Sequence, residues 1–197
     1  MFQTVTARLS KGVVARAAAI CLVFAMGNAA SAAVFNIAID AETIDGLGAP
    51  GNQVVTIDLA TALGGAAGSE VLIDAIGWDL TVETVGASWM SEATLGLGDS
   101  AGAALFVSPG AGFDAPGTML FSTGGLIDLV GLDLEFTLSD GVLVIEFFEG
   151  FDDVAGMTDA FLNGSIDISA NLTAVPVPAA VWLMGSALLG LVGLRRR

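Results

Sequence analysis

The feature that most constrains the fold is a repeated alternation of apolar and polar residues with a period of two. It runs through residues 76–83, 132–139 and 166–173, where Ile, Leu, Val, Phe or Trp alternates with Asp, Glu, Ser, Thr or Asn. A period of two is typical of strands that bury one face and expose the other. Residues 142–148 are apolar at both parities, which predicts a central strand.

Turn signals separate these segments at short intervals. They are Asp99-Ser100, Pro109-Gly110, Pro116-Gly117, Asp140-Gly141 and Asn163-Gly164, the last interpreted as a hairpin turn. Only residues 60–67 favour a helix, and a short one. Eight to ten short strands predict an all-β fold, an antiparallel β-sandwich of the jelly-roll kind, over residues 33–171.

Charge is distributed very unevenly along the chain. All 21 carboxylates lie between Asp40 and Asp167, whereas the six basic residues lie only near the ends. The basic residues are Arg8, Lys11, Arg16, Arg195, Arg196 and Arg197. A domain this acidic repels phosphate groups and attracts cations. We therefore expect no nucleic-acid partner. A solvated acidic surface suited to a saline habitat accounts for the same charge.

Residues 1–32 have the three parts of a secretory signal peptide. A basic region is followed by an apolar run at 17–26 and then by Ala30, Ser31 and Ala32, the small-x-small pattern of a signal peptidase site. Cleavage between Ala32 and Ala33 would remove Cys21, the only cysteine, and leave a domain with no disulfide. Such a domain depends on its core for stability.

The C-terminal end has a second three-part pattern. Residues 172–178 form a linker that contains Pro176 and Pro178, residues 179–194 are apolar or small, and residues 195–197 are arginines. Sixteen residues make a short transmembrane helix. Arg195, Arg196 and Arg197 form a cytoplasmic stop-transfer tail, so the acidic domain would lie outside the membrane. A plain tail anchor would have the same three parts.

This end resembles the PEP-CTERM sorting signal of Gram-negative envelope proteins, and most closely its VPLPA variant. The motif corresponds to Val175, Pro176, Pro178 and Ala179, with Val177 in place of the usual Leu or Glu. The resemblance implies processing by an exosortase-like membrane enzyme, release to the cell surface or matrix, and a role beside exopolysaccharide in biofilms. Residues 88–92, 124–129 and 146–153 resemble an ectodomain found with this tail and the β-sandwich P domains of exported proteases.

Elimination removes most catalytic chemistry. Histidine is absent, and Cys21 and Lys11 lie in the predicted signal peptide, so Ser-His, Cys-His and Ser-Lys nucleophiles are excluded. Glycoside hydrolysis by two carboxylates is not excluded, but among 21 carboxylates some pair would lie at a suitable separation by chance. We therefore expect a protein that is not an enzyme.

Calcium is the candidate ligand because oxygen donors are plentiful. Glu149, Asp152, Asp153 and Asp159 cluster where a loop joins two strands, although solvent exposure explains the same pattern.

Trp78 and Trp89 share parity with apolar neighbours and are expected in the core. The leading hypothesis is a structural protein of the envelope or matrix. The alternative is a calcium-assisted carbohydrate-binding module, which an exposed aromatic patch beside Asp152 and Asp153 would favour.

Overall fold

The computed structural model describes residues 33–151 and 156–173. Two antiparallel sheets form a β-sandwich, so the predicted all-β class is confirmed. Sheet A contains β1 (Ala33–Thr43), β10 (Ala160–Leu172), β3 (Val71–Thr84) and β6 (Thr118–Ser122) in that order, with β7 (Ile127–Asp128) and β8 (Phe136–Leu138) also pairing with β3. Sheet B contains β2 (Gln53–Asp58), β9 (Val142–Glu149), β4 (Ala93–Asp99) and β5 (Gly102–Val107) in that order. A single turn of helix, α1 (Leu59–Ala62), is shorter than the predicted 60–67.

The core lies between the two sheets and is built from alternate residues of each strand. Strand β9 lies between β2 and β4, as predicted for a segment that is apolar at both parities. Its residues Leu143, Ile145 and Phe147 are fully buried. They face sheet A, whose β10 contributes Ile166 and Ile168 to the same cluster. Burial of such side chains contributes about 1.5–3 kcal/mol each, which a domain without a disulfide needs.

Four connections cross between the sheets at one end of the sandwich, which we call the loop end. They are residues 44–52, 85–92 and 108–117, and the connection from β9 to β10, of which residues 150–151 and 156–159 are described. Each connection follows a strand of one sheet and precedes a strand of the other. The loop end therefore collects side chains that lie far apart in sequence.

The predicted strand over residues 132–139 is wrong in its first half. Val130–Leu132 form a 3-10 turn, and Asp133 has the left-handed φ of 56°. That conformation redirects the chain, so of residues 132–139 only those of β8 pair with β3, and Leu132 and Leu134 are exposed. An alternating sequence shows which residues can form a strand, but a single left-handed residue interrupts the pairing.

The hairpin turn predicted at Asn163-Gly164 is also wrong. Both residues lie inside β10, where Gly164 pairs with Ile39 on one side and with Leu80 on the other. Gly164 has a φ of 145°, and a Cβ there would lie 2.0 Å from the carbonyl oxygen of Asp79. Glycine is needed here for a close approach between strands.

The predicted signal peptide and sorting region lie outside the described residues, with Ala30, Ala32, Val175, Pro176, Pro178, Ala179 and the three terminal arginines. Ala33, expected to follow the cleavage site, is the first residue of β1. Within residues 33–151 and 156–173, no helix has the length and apolar character needed to cross a membrane.

Candidate functional site

Buried polar side chains are concentrated at the loop end. Six polar or charged residues are buried in the described part of the chain, and only Ser169 lies away from this end. The other five are Thr43, Ser88, Thr94, Glu149 and Asp159. Burying a polar group is unfavourable unless it forms hydrogen bonds, so these residues should be held in a defined network.

Glu149 is the last residue of β9, and only 2% of its surface is exposed. Its Oε2 accepts a hydrogen bond of 2.6 Å from the hydroxyl of Thr43, the last residue of β1. Its main-chain N–H donates to the carbonyl oxygen of Asp45 at 3.0 Å. Glu149 therefore joins the end of a sheet B strand to the end of a sheet A strand.

Asp159 directly precedes β10 and is 3% exposed. Its Oδ1 accepts a hydrogen bond of 3.1 Å from the hydroxyl of Ser88. Its main-chain N–H donates to the carbonyl oxygen of Thr43 at 2.9 Å, and its carbonyl oxygen accepts from Val85 at 2.7 Å. Asp159 thus bonds to the carbonyl oxygen of Thr43, and Glu149 bonds to the hydroxyl of Thr43.

Of the four predicted calcium ligands, Glu149 and Asp159 are brought together around Thr43. Asp152 and Asp153 lie outside the described residues. Among the residues that the structure describes, no three or more carboxylates are grouped so that they could hold a metal ion. Calcium takes 6–8 oxygen ligands, so the pair would need further donors to form a site.

Glu92 joins two loops at the same end. Its carbonyl oxygen accepts from the N–H of Gly150 at 2.8 Å, and Oε2 accepts from the N–H of Trp89 at 2.8 Å. These bonds hold Trp89 and Phe151 on neighbouring loops, with 43% and 64% of their surfaces exposed.

The expectation that Trp89 lies in the core is wrong. Strand β4 begins at Ala93, so the alternation of that strand does not extend back to Trp89, which lies in the preceding loop. Trp78 lies within β3 and packs half-buried against the core, in accord with its parity. Thr43 and Ser88 were not predicted, because an isolated hydroxyl residue carries no pattern that distinguishes a buried donor from a surface residue.

Two half-buried carboxylates, Asp99 and Asp140, accept hydrogen bonds from serines at the opposite end of the sandwich. Oδ2 of Asp99 accepts from both the hydroxyl and the N–H of Ser139, at 2.6 and 3.0 Å. Oδ2 of Asp140 accepts from the hydroxyl of Ser100 at 2.6 Å. The bonds from Ser139 lower the pKa of Asp99, and the bonds from Ser100 and Val142 lower the pKa of Asp140. This exchange ties the β4–β5 turn to the β8–β9 turn.

The fold and these clusters define an acidic all-β sandwich protein whose loop end contains a buried carboxylate pair. No protein-family model matches the chain, and no curated protein matches it. A structure of the infectious bursal disease virus Gt strain is similar at 13% identity and a TM-score of 0.30, covering 73% of this chain and 32% of that one. The Tobacco streak virus coat protein is similar at 14% identity and a TM-score of 0.24, covering 74% of this chain and 90% of that one. These likenesses are too distant to indicate a function.

Proposed function

We propose that this chain is an exported structural protein of the cell envelope or extracellular matrix. A signal peptide directs export across the inner membrane, and a short C-terminal helix holds the protein until an exosortase-like enzyme processes it. The released domain serves beside extracellular polysaccharide in the biofilm of a Gram-negative bacterium.

The observation that supports this proposal is the segregation of charge and hydropathy along the chain. Every basic residue lies at or before Arg16 or at or after Arg195, and every carboxylate lies between them. A translocated domain without basic residues, followed by an apolar segment and an arginine block, fits the positive-inside orientation. A structural role fits a segment that has no histidine, cysteine, lysine or arginine between Ala33 and Leu194.

The strand order supports the jelly-roll form of the sandwich. The order β1-β10-β3-β6 in one sheet faces β2-β9-β4-β5 in the other. At each position the two orders hold strands that are consecutive along the chain, β1 with β2, β10 with β9, β3 with β4 and β6 with β5, as two interleaved Greek keys require. A domain of this kind places its inter-sheet connections together, as at the loop end.

Replacement of the motif prolines tests the sorting proposal. Proline removes a backbone donor and fixes an extended conformation that a processing enzyme can bind. The double variant Pro176→Ala/Pro178→Ala should therefore accumulate in the membrane fraction with its tail attached. The control Val177→Leu keeps both prolines and should be processed like the wild type. Identical mass and location for the double variant and the wild type would contradict the proposal.

A calcium-assisted carbohydrate-binding module is the second candidate, and the exposed aromatics favour it. Trp89 and Phe151 project from loops that meet at Glu92, and Phe151 directly precedes Asp152 in the sequence. Aromatic faces stack on sugar rings, while carboxylates bind calcium or sugar hydroxyls. Titration of extracellular polysaccharide from the host with and without calcium tests this candidate. Calcium-dependent binding that is lost in Trp89→Ala would support this candidate. Equal binding by the wild type and Trp89→Ala would oppose it.

A further inference from the structure

Strand β1 forms an edge of sheet A. It pairs with β10 over its whole length, from Ala33 opposite Ala170 to Thr43 opposite Ala160, with no shift in register. Within the described part of the chain, no strand pairs with the other side of β1. A long regular edge strand presents unpaired N–H and C=O groups to a partner.

The outward-facing residues of β1 can be identified from a single contact. The N–H of Glu42 donates to Oε1 of Gln53 on β2 at 2.8 Å, so the backbone groups of Glu42 point away from β10. The backbone direction alternates along an antiparallel strand. Val34, Asn36, Ala38 and Asp40 therefore also direct their N–H and C=O groups outward. Gln53 covers the edge only at Glu42.

We propose that β1 binds β1 of a second copy of this chain, in an antiparallel pair with its two-fold axis at Ile37. Val34 then lies opposite the partner's Asp40, and Asn36 lies opposite the partner's Ala38. All four outward residues form hydrogen-bonded pairs in this register. The two A sheets would join into one continuous sheet across the dimer.

Charge and the existing hydrogen bond of Glu42 disfavour registers that are shifted towards the C-terminal end of β1. No carboxylate lies opposite another, because Asp40 faces Val34. A shift by two residues places Val34 opposite Glu42, whose N–H already donates to Gln53. A larger shift in the same direction places Asp40 near the partner's Asp40, and like charges directly opposite are destabilising. On the inner face, Ile37 meets itself, and Phe35 meets the partner's Ile39.

The space beside the edge allows a strand to approach. A cleft of about 340 Å³ separates β1 from β2 and is lined by Ala38, Asp40, Gln53, Val54 and Phe147. Each copy carries 21 carboxylates, so repulsion opposes association until salt screens it. We therefore expect the dimer to become tighter as salt rises, whether or not the chain is sorted as proposed above.

Cysteine cross-linking tests the register directly. One full-length chain carries Cys21→Ser and Asn36→Cys, and another carries Cys21→Ser and Ala38→Cys. In the proposed pair, Cα of residue 36 lies about 5.5 Å from Cα of residue 38 of the second copy, within disulfide range. Identical residues lie about 8–9 Å apart, which is too far. The mixture should form the disulfide dimer at least tenfold more than either chain alone. Equal yields would overturn the proposal.

A proline variant tests the backbone pairing in solution. Ala38→Pro removes one outward N–H, which a free edge strand tolerates but a paired one does not. Ala38→Val keeps the donor and is the matched control. Sedimentation of the full-length chains in detergent at rising salt should show dimers for the wild type and Ala38→Val, and at least tenfold weaker association for Ala38→Pro. Urea unfolding checks that all three are folded. A monomeric wild type at about 1 M salt, or a folded Ala38→Pro that associates equally well, would overturn the proposal.

Discussion

The hydroxyl of Thr43 donates a hydrogen bond of 2.6 Å to Oε2 of Glu149, and both residues are buried. Thr43 ends β1 in sheet A and Glu149 ends β9 in sheet B, so the bond links the two layers. In the middle of the sandwich, apolar side chains from both sheets pack against each other. At the loop end, the fold depends on a polar contact that must be satisfied, because a buried carboxylate is unfavourable without its donors.

Replacement of Thr43 by valine tests this contact. Valine has nearly the same shape but no hydroxyl, so Glu149 would lose a buried donor. We expect a loss of about 1–3 kcal/mol in the free energy of unfolding, measured in urea at neutral pH. Thr56→Val is the control, because Thr56 is exposed on β2. Equal unfolding midpoints for both variants would show that the Thr43–Glu149 bond is not important for stability.

Removal of calcium tests the predicted metal ligands. If calcium binds at Glu149, Asp152, Asp153 and Asp159, a chelator should lower Tm, because ligand at about 100 times its Kd stabilises the native state by about 2.7 kcal/mol. Glu149→Gln should lose this response, while Glu135→Gln, an exposed residue, should keep it. A melting curve that is the same with and without chelator would end the calcium prediction.

Stability below pH 4 should depend on Asp99 and Asp140. Hydrogen bonds from Ser139 and Ser100 hold the pKa of each carboxyl below its ordinary value of 3.8. As pH falls, the unfolded chain therefore binds protons before the native chain does, so the stabilisation is complete above about pH 4 and is lost through the lowered native pKa. Ser139→Ala should raise the pKa of Asp99 towards 3.8, as measured by NMR titration of the carboxyl. An unchanged titration of Asp99 would contradict this account.

Gly164→Ala should strongly destabilise the sandwich. A Cβ at this position would lie 2.0 Å from the carbonyl oxygen of Asp79, and φ is 145°. Strain of this kind costs about 1–3 kcal/mol, and here the neighbouring strand β3 must also move. Gly46→Ala is the control, because a Cβ at Gly46 meets nothing within 4 Å. If urea unfolding places Gly164→Ala within about 0.5 kcal/mol of the wild type, the close approach of β10 to β3 is wrong.

The sequence predicted the strands well where the pattern alone decides the structure. Residues 142–148 are apolar at both parities and form β9, the strand between β2 and β4. The prediction failed where one backbone angle decides. Asp133 has a left-handed backbone conformation, which interrupts the strand predicted from residue 132. Gly164 allows two strands to pack closely and does not form a turn. Neither angle is evident from hydropathy.

The candidate site was predictable only in its charged members. Carboxylate clustering identified Glu149 and Asp159, which meet around Thr43. Thr43 lies more than 100 residues from both, so its contribution depends on the sheet topology. Trp89 was misplaced because its parity was assigned to a strand that begins only at Ala93.

The intact mass of the protein recovered from its native host tests the export proposal most directly. The account predicts a chain that begins at Ala33 and lacks the residues beyond the motif at Val175, Pro176, Pro178 and Ala179, recovered from the cell surface or matrix. The full 197-residue chain, uncut and soluble in the cytosol, would contradict it.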